Sequence, residues 1–250
     1  RGQLLRRVAL GGTATGSGAG AHPGYRASAI RELGRLTGLR LLPAEDLFDA
    51  LQSRGAATAF SGALRDLALE LIRIANDLRL LSSGPTTGIA EIRLPAVQPG
   101  SSIMPGKVNP VMAECLNMIC FQMVGNDLAV SLASQAGQLE LNVMTPVMMW
   151  NILQSMEMLI NYLPAFRTRC IDGITVDEAR CMQYLEKNPS LAVFLVPRIG
   201  YLEAARLAKE ALALGKSIRE LALERRLITP EEAHRMFDHE ALLGKGETLK

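Results

Sequence analysis

Between Val111 and Leu163 the chain carries four charged side chains, Glu114, Asp127, Glu140 and Glu157, and neither lysine nor arginine. Helices this apolar on all sides have no broad face to give to water, so they must be buried within their own domain or between subunits. Leu116, Ile119, Met123, Val130 and the methionines from Met144 to Met158 are therefore expected in a core. A methionine-rich cofactor box is the weaker competitor, because methionine at helical spacing is ordinary core filling. Upstream, Leu64, Leu67, Ala68, Leu71, Ile74, Ala75, Leu78 and Leu81 fall three and four residues apart, one face of a helix running from Ser61. Ser82-Ser83-Gly84-Pro85 supplies its stop signal.

Beyond Cys170-Ile171-Asp172-Gly173 the texture changes to shorter, more charged helical segments. Three open with capping-box patterns, Thr175–Glu178, Ser217–Glu220 and Thr229–Glu232. Pro230 suits the first position of the last helix, and Gly215 suits the end of an earlier one. No segment alternates with period two well enough to compete as a strand. The expected fold class is all-α: a central helical-bundle domain over residues 1–173 and a small helical C-terminal domain over 174–250.

Length and charge narrow the function. The 250 residues suffice for a sizeable core in one or two domains, and a formal net charge of +2 without a basic run gives no footprint for nucleic acid. Cys115, Cys120, Cys170 and Cys181 lack Cys-x-x-Cys spacing and a nearby histidine, so free thiols in a reducing cytoplasm are expected rather than a zinc site. No secretory signal is evident, and Asn, Gln, Ser and Gly interrupt the apolar segments before they reach membrane-spanning length. Gly11 to Gly20 is glycine-rich, but a phosphate-binding loop needs a lysine followed by Ser or Thr, and neither is there.

Residues 100–110 read Gly-Ser-Ser-Ile-Met-Pro-Gly-Lys-Val-Asn-Pro. Small residues let a backbone close around a ligand and present its N–H groups. Asn109 is a candidate N-cap and Pro110 a candidate first helical residue, so the loop feeds a helix N-terminus. Unpaired N–H groups there favour an anion, and Lys107 adds a full positive charge. The segment is built to hold a carboxylate.

The same residues match, at all seven fixed letters, the Gly-Ser-Ser-x-Met-Pro-x-Lys-x-Asn signature of the fumarase/aspartase superfamily. Leu10-Gly11-Gly12-Thr13-Ala14, Ile74-Ala75-Asn76-Asp77-Leu78-Arg79, Ser83-Gly84-Pro85 and Gly125-Asn126-Asp127 extend the resemblance in the family's order. Gly16-Ser17-Gly18-Ala19-Gly20 departs from the usual Gly-Thr-Gly-Leu-Asn, and Thr86-Thr87 replaces an arginine-containing pair. Alone, a serine in a glycine-rich loop is turn chemistry and a lysine there a solvated charge; the complete motif is what makes the pattern specific. Glu114 is ambiguous, since a carboxylate near a helix N-terminus is favourable without any function.

The resemblance implies reversible trans elimination from a C4 dicarboxylate, giving fumarate, without metal or cofactor. It implies Ser101 as the base, acting as an alkoxide, Lys107 and Asn109 gripping a substrate carboxylate, Ser102 and the Met104 backbone lining the pocket, and Glu114 pairing with a histidine near the site. It also implies a homotetramer whose central helices form one shared bundle, with each active site assembled from several subunits. The family's two upstream site segments are missing: His22, His234 and His239 follow Ala21, Ala233 and Asp238, not the threonine of a Gly-Arg-Thr-His stretch. The expectation is a C-terminal half, inactive alone. Asn109-Pro110-Val111-Met112-Ala113-Glu114, Leu80 to Pro85 and Ala136 to Met144 resemble the family's aspartate ammonia-lyases more than its class II fumarases, which stay open as the alternative. A silent helical scaffold is the remaining one.

Overall fold

The computed structural model describes residues 4–238 and residue 242; Arg1 to Gln3 and His239 lie outside them. The fold is all-α. Leu4–Arg6 is a single 3-10 turn, and the strands β1 (Arg7–Val8), β2 (Leu42–Pro43), β3 (Ile92–Arg93) and β4 (Thr175–Val176) are two residues each. The described residues form two compact units, 1–175 and 176–250.

In the first unit, α1 (Tyr25–Thr37) and α2 (Leu47–Gln52) precede three long helices, α3 (Gly55–Leu81), α4 (Val111–Gln135) and α5 (Thr145–Arg169). The 27 residues of α3 span about 40 Å at 1.5 Å per residue. Its centre is small: Ala68 and Ala75 are fully buried, which lets α4 and α5 close in with Leu116, Cys120, Met123, Leu159 and Phe166. A second apolar layer, Val130, Ala133, Met148 and Ile152, packs against Phe60, Leu64 and Met156. Helix α3 begins at Gly55, six residues before the expected Ser61, because Ala57 and Phe60 belong to that second layer. Leu67 and Ile74, expected in the buried stripe, lie at its exposed margin.

Polar groups are matched inside the bundle. Ser61 Oγ donates to Asp127 Oδ1 at 2.7 Å and Arg65 Nη1 to Asp127 Oδ2 at 3.0 Å, joining α3 to α4. Asn126 Nδ2 donates to Gln154 Oε1 and Ser155 Oγ at 3.0 Å each, joining α4 to α5. Asn117 Nδ2 donates to Asn76 Oδ1 at 2.8 Å. By length and composition α4 is the one described helix able to cross a membrane, which the single-residue interruptions had argued against. Its buried Asn126 and Asp127 bond to side chains of α3 and α5, and Asn117 bonds through Nδ2 to Asn76 while its Oδ1 has no partner among the described residues, the construction of a bundle's central helix.

The charge-poor helices are only half covered within this chain. Leu116, Met123, Val130 and Met148 are buried as expected, and Ile119, Met156 and Met158 partly so, whereas Met144 and Met149 are exposed. Met118, Phe121, Leu128 and Leu132 on α4, and Trp150, Leu153 and Ile160 on α5, are exposed as well.

The second unit strings α6 (Glu178–Glu186), a 3-10 segment (Pro189–Leu195), α7 (Val196–Ile199), α8 (Tyr201–Leu214), α9 (Ile218–Glu224) and α10 (Pro230–Met236) around Leu195, Leu207, Ile218 and Leu221. Capping boxes form at Ser217–Glu220 and Thr229–Glu232, Pro230 is the first residue of α10, and Gly215 ends α8 in the left-handed conformation. The box at Thr175 does not form. Thr175 is extended, and Asp177, nearer the helix, accepts from Arg180 N at 3.1 Å and caps α6 instead.

Candidate active site

Residues 100–107 form a closed loop ahead of α4. Gly100 N–H donates to Lys107 O at 2.9 Å, and Lys107 N–H donates to Met104 O at 3.2 Å. A Cβ at Gly100 would sit 2.3 Å from Lys107 O, so only glycine allows the two ends to meet there. Gly106, at φ +81°, supplies the left-handed residue that turns the chain back.

Asn109 does not cap α4. Its Nδ2 donates to Gly100 O at 2.9 Å, and Pro110 occupies the cap position with no side-chain cap. The carboxamide closes the loop across its base, a partner nine residues away that spacing alone cannot reveal. Val111 N–H is taken by Asn109 O at 2.8 Å.

Ser101 Oγ accepts two backbone N–H groups, from Ile103 and Met104, each at 3.1 Å. Donors converging on a hydroxyl oxygen stabilise negative charge there, the condition for lowering the cost of an alkoxide. Ser101 is half-buried, while Ser102, Met104 and Lys107 face solvent. Among the described residues, Lys107 Nζ has no hydrogen bond or ion pair, so its charge is free for a ligand. The structure thus ties Ser101, Met104, Lys107 and Asn109 into one loop. Ser102 and Glu114 make no side-chain bond to them. Glu114 is one turn into α4 and half-buried, and no described histidine bonds to it; His22 Nδ1 accepts from Gly24 N in a local turn.

One supporting residue carries no sequence signal. Tyr162 OH, on α5, donates to Met112 O at 2.6 Å in the first turn of α4, directly behind the loop. Burial, and after it the neighbouring Cys115 thiol, push the Tyr162 phenol far above its ordinary range, so it stays a neutral donor. Another family-like segment, Ala136 to Met144, is tied into the fold by its own bonds. Gln138 and Leu141 exchange backbone bonds in the turn between α4 and α5, Gln52 Oε1 accepts from Glu140 N at 2.8 Å, and Asn142 Nδ2 caps the end of α4 through Ala133 O at 3.0 Å.

A bundle of long helices with a serine-centred, lysine-bearing loop at the head of its central helix is the class of protein that this fold and candidate site describe. The family described as Lyase matches residues 1–125, and the one described as Fumarase C C-terminus matches residues 191–244. The chain belongs to this fumarase/aspartase lyase family. It is 48% identical over 92% of its length to an aspartate ammonia-lyase of Bacillus subtilis strain 168, covering 48% of that protein. Among solved structures it resembles the fumarate lyase:delta crystallin of Brucella melitensis bound to cobalt, at TM-score 0.90 and 46% identity over 98% of this chain and 53% of that one. A class II fumarase of Schistosoma mansoni follows at TM-score 0.88 and 36% identity, over 94% and 54%. The chain spans about half the length of the curated relatives it matches.

Proposed function

We propose that the complete protein eliminates ammonia from L-aspartate to give fumarate, with Ser101 as the base. The observation that carries this is the pair of N–H groups aimed at Ser101 Oγ at 3.1 Å. Ser101 Oγ takes a proton from the carbon beside a substrate carboxylate. The electron pair of that C–H bond passes through the carboxylate-stabilised carbanion into the new C=C bond as the C–N bond breaks and ammonia leaves. The intermediate concentrates negative charge, and Lys107 together with the remaining N–H of Asn109 meets it. Ser102 and the Met104 backbone line the pocket, and Glu114 supports it from α4. No step in this scheme calls on a metal or cofactor.

The apolar residues left exposed on α4 and α5 support assembly with other copies, in the family's manner a homotetramer with shared active sites. Four cysteines that form no disulfide fit a reducing cytoplasm. Likeness to a class II fumarase favours a second reading, hydration of fumarate to malate, because the same base and carboxylate grip serve either leaving group. The deciding experiment follows fumarate absorbance with the full-length protein on L-aspartate and, separately, on L-malate. Fumarate from aspartate alone supports the proposal, and turnover of malate alone replaces it with the second reading. Fumarate binding with no turnover of either substrate leaves a scaffold.

A further inference from the structure

A cavity of about 700 Å³ lies between α1 and the segment after it, walled by Ala27, Ile30 and Leu41 and carrying Arg26, Arg31 and Arg40. No residue of the signature loop lines it. Its volume falls within the range of small-molecule sites, which are apolar hollows with a few placed polar groups.

The three guanidinium groups stand out because none is matched by a carboxylate at bonding distance. Arg26 donates to Ala44 O, and Arg31 Nη2 donates to Ser28 Oγ at 3.3 Å. Arg40 has no hydrogen bond or ion pair among the described residues. Arginines just outside the cavity do find acids, Arg35 with Glu32 at 2.6 Å and Arg7 with Glu45. Glu32 is the one acid on α1, and Arg35 engages it; Arg31 reaches it only through longer-range attraction. Arg26 Nε is buried with no partner, a cost that a solvent-facing arginine avoids, so this guanidinium is held at the wall rather than released to water. Planar guanidinium forks match carboxylates with two parallel hydrogen bonds.

We propose that this cavity binds a small organic carboxylate with an apolar body, whose carbon chain lies on Ala27, Ile30 and Leu41 and whose carboxylates meet the arginines. The unpaired positive charge favours a dicarboxylate longer than a C4 substrate, because a short dianion leaves the apolar wall uncovered.

The test is calorimetric titration of the full-length protein with octanedioate, with fumarate saturating the catalytic loop so that only a second site gives heat. Saturable binding is expected, weakened about tenfold or more by Arg31→Glu or Arg40→Glu and abolished by Ala27→Phe, which fills the hollow. Arg31, Arg40 and Ala27 are all exposed, and the three substitutions fail independently, so one misfolded variant leaves the test decisive. Butanedioate and 1,8-octanediol, lacking the long body and the charges respectively, should each bind about tenfold more weakly. No saturation up to about 10 mM octanedioate overturns the proposal, as when another part of the full-length chain fills the cavity. Equal binding by the diol, or octanedioate binding that all three variants leave unchanged, overturns it too.

Discussion

Replacing Gly100 with alanine isolates what loop closure contributes to catalysis. The added Cβ would lie 2.3 Å from Lys107 O, 2.7 Å from Lys107 C and 3.1 Å from Val108 Cα, all backbone atoms. An ordinary contact begins near 3.4 Å, so the two ends must part by roughly 3.4 − 2.3 = 1.1 Å. That separation breaks the 2.9 Å bond from Gly100 N to Lys107 O and strains the 2.9 Å bond from Asn109 Nδ2 to Gly100 O. At about 0.5–1.5 kcal/mol per bond, the loop loses about 1–3 kcal/mol of local order. The loop is exposed and outside the apolar core, so Tm should shift by only a few degrees. Catalysis should suffer more, because a misplacement of about 1 Å costs about a hundredfold in rate. The assay is kcat/KM for fumarate formation by the full-length enzyme, with thermal unfolding alongside. Gly106→Ala is the control: its Cβ meets nothing within 4 Å, and only the left-handed backbone at φ +81° is penalised, by about 1–2 kcal/mol. A Gly100→Ala enzyme within about threefold of wild-type kcat/KM would show that the closed loop does not set the position of Ser101.

Four other perturbations have defined outcomes. Ser101→Ala should keep fumarate affinity in calorimetry while turnover falls about 10²–10⁴-fold; near-normal turnover removes Ser101 as the base. Asp127→Ala strands the buried Ser61 hydroxyl and leaves Arg65 with Asp66 as its remaining partner, and should lower stability in urea by about 2–3 kcal/mol, an unchanged midpoint counting against the network. Burial pushes the Cys120 thiol up to about 11 from an ordinary 9.0, so the folded state keeps a proton that the unfolded chain loses. Stability should therefore be independent of this thiol below pH 9 and fall as pH rises towards 11, a slope that Cys120→Ala flattens. Thr229→Ala removes the cap of α10 and should cost about 1 kcal/mol, seen as faster amide exchange confined to that helix and its neighbours.

The fold class was legible because its signals are local. Apolar spacing and stop residues place α3; Ser217, Thr229 and Gly215 mark helix ends through bonds that reach three or four residues, and Pro230 marks a helix start through its fixed φ and missing N–H. Where two local signals compete, spacing does not decide. Thr175 and Asp177 could each cap α6, and geometry selects Asp177 because its carboxylate reaches Arg180 N. Asn109 offers the same lesson at the site. Its residue type suits a cap, yet its amide serves Gly100 O across the loop.

The sequence by itself determined that this chain is helical, that its central helices need cover on several sides, and that Ser101, Lys107 and Asn109 share one small-residue loop ahead of α4. Each follows from side-chain chemistry over a few consecutive residues. Only the tertiary structure decided which face of α4 is buried in this chain, since its two charges, Glu114 and the buried Asp127, do not mark a polar outside. It also decided that Asn126 and Asp127 are core fastenings, that Tyr162 braces the first turn of α4, and that three arginines line one hollow. These depend on contacts between residues distant in sequence, and are set by how the helices pack.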